Sequence, residues 1–135
     1  MANAFTFELV SPERLLVSTE ATAVVLPGSE GDMTVMAMHA PTMTSIRPGI
    51  VEVTDTAGKV DRYVVFGGFA DILPDSCTIL AEAAVAANAV TSADVQARIA
   101  AARKALDDAQ GDDGKQKAQQ FLDQLTTLQG AIIPA

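Results

Sequence analysis

The chain has 135 residues, 49% of them hydrophobic and 19% charged, with a net charge of −8. That length holds one ordinary domain, or a small domain with an appendage. The acidic balance argues against nucleic acid, which selects basic surfaces. A lone cysteine, Cys77, excludes an intramolecular disulfide, and a lone histidine, His39, leaves no metal or catalytic site built on paired histidines.

At the start, Met1-Ala2-Asn3-Ala4-Phe5 has no basic region followed by an apolar stretch, so no signal peptide is expected. No apolar run reaches the roughly 20 residues that cross a bilayer. Phe5, Phe7 and Leu9 then alternate with Thr6 and Glu8, the period of a half-buried strand. Ser11-Pro12-Glu13 breaks it. Short apolar runs follow at 15–18, 21–26, 34–38, 42–46, 50–54, 60–66, 69–73 and 77–81. Pro-Gly, Gly-Gly and Asp-rich segments separate them. Many short strands without an intervening helical period predict an antiparallel β-sandwich over residues 1–87. Cys77, inside an apolar run, is expected to be a buried and unreactive thiol.

The most informative segment is Leu26-Pro27-Gly28-Ser29-Glu30-Gly31-Asp32-Met33, followed by His39-Ala40-Pro41. Pro27 presets φ, Gly28 and Gly31 accept φ > 0, and Ser29 and Asp32 can bond nearby amides, so the first half reads as a turn between strands. Glu30 and Asp32 are expected to be exposed at its tip. Met33, Met36, Met38 and Met43 surround His39. Their flexible thioethers suit either an adaptable contact surface or gap-filling in a core short of aromatics.

At Asn88 alanine becomes abundant and the repeat lengthens. Val95, Ile99, Ala102 and Leu106 form one helical stripe, and Ala118, Phe121, Leu122, Leu125 and Leu128 form another. Residues 88–135 therefore predict an α-helical hairpin, with helices at about 92–109 and 115–129. Thr91 and Asp94 offer a capping box at its start. Gly111-Asp112-Asp113-Gly114 is the expected connection, and Gly130 the expected stop. Charge is uneven between the halves: residues 1–88 carry four basic and eleven acidic side chains, residues 89–135 five and six.

The turn and its spacing from His39-Ala40-Pro41 resemble the epsilon subunit of the bacterial F-type ATP synthase. So do Phe7-Glu8-Leu9-Val10-Ser11-Pro12, Arg47-Pro48-Gly49, Gly67-Gly68-Phe69 and Leu80-Ala81-Glu82-Ala83. The resemblance implies a noncatalytic rotor subunit, without a cofactor, peripheral on the cytoplasmic face of the bacterial inner membrane. Its implied partners are the gamma subunit, the polar loops of the c-ring and, through the hairpin, the alpha and beta subunits. By position, Ser11, Met38, His39 and Met43 map to the gamma-facing side. Ser29, Glu30 and Asp32 map to the c-ring.

Some family members bind ATP through Ile/Leu-Asp-x-x-Arg-Ala at the start of the first helix. Here Asp94 is present, but Ala97 stands where the Arg belongs and Arg98 is one residue late, about 100° around a helix. Beyond Asp123 the chain has no basic residue, so the charges that other members use to clamp the beta subunit are missing. Weak inhibition by the hairpin is the expectation; an ATP-sensing brake is the alternative.

Overall fold

The computed structural model describes residues 4–89 and 91–132. Its seven strands are β1 (Phe5–Val10), β2 (Leu15–Gly28), β3 (Gly31–Val35), β4 (Thr42–Asp55), β5 (Val60–Leu73), β6 (Ser76–Ala81) and β7 (Ala84–Ala86). A short 3-10 turn, Ala87–Ala89, leads toward helices α1 (Ser92–Asp108) and α2 (Gly111–Ile132). The chain divides into two compact units, one ending at Ala86 and the other beginning at Ala87.

In the first unit the period-two pattern does its expected work. Phe5, Phe7 and Leu9 point inward and meet Val24, Leu26, Val51, Val53, Ile72 and Ile79 in one apolar core. No polar or charged residue among those described is buried. Strand pairing runs β1-β6-β5-β4-β2-β3, and β1 also pairs with β2, so five strands close on themselves. Closure removes most of the open edges that would template aggregation. Nearly all pairs are antiparallel, as the strand pattern implies. The added feature is a parallel pairing of β1 with β6, from Thr6↔Ser76 to Val10↔Leu80.

Two sequence breaks turn out to be bends rather than ends. The predicted strands at 42–46 and 50–54 join into β4 through Pro48-Gly49, and those at 60–66 and 69–73 join into β5 through Gly67-Gly68. The register keeps these bends opposite each other, with Ile46↔Gly68 and Pro48↔Phe66. Such kinks let one strand serve both layers of a sandwich. Glycine is required at both. A Cβ on Gly49 would sit 2.6 Å from the Pro27 Cβ, and one on Gly68, at φ +141°, would overlap the Leu80 carbonyl oxygen.

The second unit is the two-helix hairpin. Thr91 and Asp94 form the capping box: the Thr91 side chain accepts from the Asp94 N–H and the Asp94 carboxylate accepts from the Thr91 N–H. Val95, Ile99, Ala102, Leu125 and Leu128 are buried, whereas Phe121 of the second predicted stripe is exposed. The helix bounds need correction. Instead of 115–129, α2 begins at Gly111 and runs through Gly130 to Ile132, leaving only Ala109 and Gln110 as a link. Gly111 turns the chain at φ +74°, and Asp112 and Asp113 occupy the first turn. Carboxylates there meet the positive end of the helix dipole, which offsets weak propensity.

Candidate functional site

The acidic turn is a β-hairpin of minimal length. Gly28 pairs with Gly31, so only Ser29 and Glu30 form the loop between β2 and β3, and both are exposed. Gly31, at φ +136°, absorbs the reversal where a side chain would be strained. Asp32 lies one step down β3 rather than in the loop. Its carboxylate pairs with the Arg47 guanidinium of β4, whose Nε also donates to the Gly28 carbonyl at 3.2 Å. One planar fork therefore fastens both arms of the hairpin to the neighbouring strand. Glu30 has no ion pair or side-chain hydrogen bond among the described residues. Of the two acids, Glu30 is the one left unpaired at the tip among the described residues.

The segment between β3 and β4 carries the second group. The Met38 N–H donates to the Pro74 carbonyl at 2.7 Å, tying this segment to the β5–β6 turn. Met38 itself holds φ +67°, a left-handed conformation that non-glycine residues rarely adopt. His39 Nδ1 lies 2.7 Å from the Ala40 carbonyl, and the Thr42 hydroxyl donates to the same oxygen at 3.0 Å. These bonds order the chain into β4. The two readings of the methionines divide between them: Met33 packs against the core, while Met36, Met38 and Met43 are each more than half exposed.

Ser11 is not brought to this segment. It follows β1, where its N–H and hydroxyl reach the Arg14 carbonyl in a tight turn. Met38 is joined instead to the turn beside the opposite end of β1, where the Thr6 N–H donates to the Asp75 carbonyl. Five residue steps of extended chain separate Thr6 from Ser11, about 17 Å. What spans the sheet next to Ser11 is a row that sequence reasoning missed. Strand register aligns Phe69 with Leu80, Leu80 with Val10, and Val10 with Leu15. Phe69, Leu80 and Leu15 are each more than half exposed. The neighbouring row runs from Met43 through Asp71 and Thr78 to Glu8. The signal was available: alternation puts Phe69 opposite in facing to Ala70 and Ile72. What was lacking was the pairing register that makes single exposed residues a row.

A cavity of about 470 Å³ lies between the hairpin and the start of β4. Ser29, Glu30, Gly31, Asp32 and Met33 line one side, and Thr42, Met43 and Thr44 the other. It brings Ser29, Glu30 and Asp32 of the acidic turn beside Met43 at the start of β4.

In the second unit, Asp94 and Arg98 are both exposed on α1 and stand four residues apart, hence neighbours on one helical face. The Asp94 carboxylate is engaged in the cap. Cys77 is fully buried in β6. Burial, with the Asp71 charge adding to it, pushes its thiol up to about 12. No described helix is long and apolar enough to cross a membrane.

The closed sandwich with its acidic hairpin is the β-sandwich module of the ATP synthase delta and epsilon chains: the family model for that domain matches residues 4–87. The chain belongs to this family and is of its epsilon type. It is 61% identical to the ATP synthase epsilon chain of Mesorhizobium japonicum over 135 residues, covering all of both chains. It is 59% identical to that of Brucella anthropi over the same length. Two solved structures share the fold. One is a chain of the Euglena gracilis mitochondrial ATP synthase assembly of OSCP, F1 and c-ring. It has a TM-score of 0.72 at 24% identity, covering 96% of this chain and 81% of that one. The other belongs to the central stalk and c-ring of the Tetrahymena thermophila mitochondrial enzyme, with a TM-score of 0.61 at 11% identity, covering 93% and 96%.

Proposed function

We propose that this chain is a noncatalytic rotor subunit of the proton-translocating ATP synthase, holding the gamma subunit and the c-ring in register. The observation that carries the proposal is the fastened hairpin. Arg47 secures both its arms, so Glu30 is presented on a two-residue tip that cannot swing freely. An exposed ion pair contributes only about 0–1 kcal/mol. Glu30 therefore selects position on a ring of repeated polar loops, while adhesion comes from apolar burial elsewhere.

The Phe69–Leu80–Val10–Leu15 row supplies that adhesion. Ser11 directly follows Val10, and Met43 lies on the same face two residues along β4 from Ser45, which pairs with Phe69 of the row. Ser11, Met43 and the row form a gamma-facing side, with Met38 and His39 in the ordered segment before β4. Ser29, Glu30 and Asp32 face the ring. The subunit is then peripheral, on the cytoplasmic face of the bacterial inner membrane, and reaches it only through its partners. The hairpin unit is at most weakly inhibitory, because α2 has no basic residue in its last turn. Engagement of Asp94 in the cap weighs against a nucleotide-gated brake.

Co-purification tests the reading. The full chain should capture gamma, and the pair should then retain the detergent-solubilised c-ring. Failure to capture gamma would overturn it.

A further inference from the structure

We infer that the turn at residues 36–39 is a site for a soft monovalent metal ion, Cu(I) or Ag(I), held by the thioethers of Met36 and Met38 and by Nε2 of His39. The inference goes beyond the rotor reading and does not depend on it. Ala37 and Met38 are the central residues of this turn, and a four-residue turn brings its end Cα atoms within about 7 Å. Met36 and His39 are those ends. Met38 lies between them at φ +67°, and its N–H is fixed to the Pro74 carbonyl at 2.7 Å. Two thioethers and one imidazole therefore leave a single anchored turn.

The donor chemistry decides the ligand. Thioethers are soft and uncharged, and they select Cu(I)-like ions over hard divalent ones. His39 Nδ1 lies 2.7 Å from the Ala40 carbonyl oxygen, which can only accept, so Nδ1 carries the hydrogen. In the neutral ring Nε2 then keeps its lone pair for a metal. The same backbone bond orients the ring, as the outer partners of metal-ligating histidines do. Met36 and Met38 are 58% and 75% exposed, so neither side chain is committed to the core. An unbranched side chain with three rotatable bonds can turn its sulfur toward a shared ion. Among the described residues no three His, Cys, Asp or Glu side chains group to hold a metal. The chain's one thiol, Cys77, is fully buried, which keeps it from competing.

The test titrates the full chain with Ag(I) in chloride-free buffer. Cu(I), kept reduced by ascorbate, is then measured in competition with a colorimetric chelator. A single equivalent should bind, and NMR of isotope-labelled methionine methyls should show Met36 and Met38 shifting while Met33 stays. Met36→Leu, Met38→Leu and His39→Gln should each weaken binding by at least about tenfold. Met43→Leu is the control. Met43 is comparably exposed, at 72%, but lines the cavity beside the hairpin, and its variant should bind as the natural chain does. Binding no tighter than that of free methionine would overturn the inference. So would an equal loss in Met43→Leu, which would reduce the site to exposed thioethers in general, or loss in Cys77→Ala, which would move the ion to the thiol. Displacement by equimolar Zn²⁺ would overturn the soft-ion assignment. The methyl shifts decide independently of whether every variant folds, and none of these outcomes bears on capture of gamma.

Discussion

Asp32 and Arg47, fifteen residues apart, form an ion pair that fixes the acidic hairpin to β4, and the same guanidinium donates to the Gly28 carbonyl. The pair is unequally exposed: 30% for the Arg47 side chain and 69% for Asp32. Solvent therefore screens the charge term, and more of the worth lies in the half-buried bond to Gly28. Arg47→Ala is expected to destabilise the sandwich by about 1–2 kcal/mol in urea unfolding, and Asp32→Asn by about 0–1 kcal/mol. Arg47→Lys should recover little of the loss, because an ammonium lacks the planar fork that spans two acceptors.

Function should rank the two acids in the opposite order to stability. Among the described residues Glu30 forms no ion pair and stands at the tip, whereas Asp32 is occupied. Glu30→Gln should leave the unfolding midpoint within about 0.5 kcal/mol of the natural chain while weakening ring binding up to about fivefold. Asp32→Asn should shift stability slightly and ring binding less. Equilibrium binding to the c-ring at two salt concentrations checks both.

Much of this fold was legible in the residues because the strands of the core obey period two and the helices obey 3.6. Phe5, Phe7 and Leu9 are inward, and Val95, Ile99 and Ala102 are buried on one stripe, as their spacing dictates. Glycine and proline were the misleading signals. Gly67-Gly68 and Pro48-Gly49 look like ends, yet within a paired register they are bends that let a strand change layers. The start of α2 misled for another reason: Asp112 and Asp113 are poor in a helix interior but favourable in its first turn. Of the surfaces, the turn was readable from local chemistry. The Phe69–Leu80–Val10–Leu15 row was not, because it joins four strands through long-range register. The parallel pairing of β1 with β6 was hidden for the same reason.

Glycine substitutions separate close approach from backbone conformation. Gly58, at φ +85°, has open space where a Cβ would go, so Gly58→Ala should cost only the left-handed penalty, about 1–2 kcal/mol. Gly68 bears a positive φ and a collision with the β6 backbone at Leu80 and Ala81. Gly68→Ala should therefore cost more than about 3 kcal/mol, or abolish folding, since neither partner is a flexible side-chain end. Comparable unfolding midpoints for the two variants would contradict the bend as described.

Cys77 gives a pH dependence of definite sign. Its folded thiol is raised from 9.0 to about 12, chiefly by burial, so the folded state holds this proton more tightly than the unfolded chain does. The contribution to stability is fully present below pH 9. It falls as pH rises toward 12, by up to about 1.4 kcal/mol per unit. Other groups titrate in that window, including Tyr63, which burial and Asp61 also raise. The informative quantity is thus the difference in slope between the natural chain and Cys77→Ala, which should be less steep. Thiol reagents should label the native protein slowly at neutral pH and rapidly only on unfolding.

The hairpin provides the last prediction. Its last turn in α2 lacks basic residues, and α1 also ends without one, at Asp107-Asp108. A helix pressed against an acidic surface needs positive charge on the side it presents, since like charges in a desolvated contact are costly. Removal of residues 89–135 should therefore raise ATP hydrolysis by the reconstituted enzyme less than about twofold, a change below about 0.4 kcal/mol in barrier terms. ATP synthesis should persist, because the hairpin tip at Glu30 and the apolar row both belong to the first unit. A several-fold rise in hydrolysis would assign the hairpin a strong braking role.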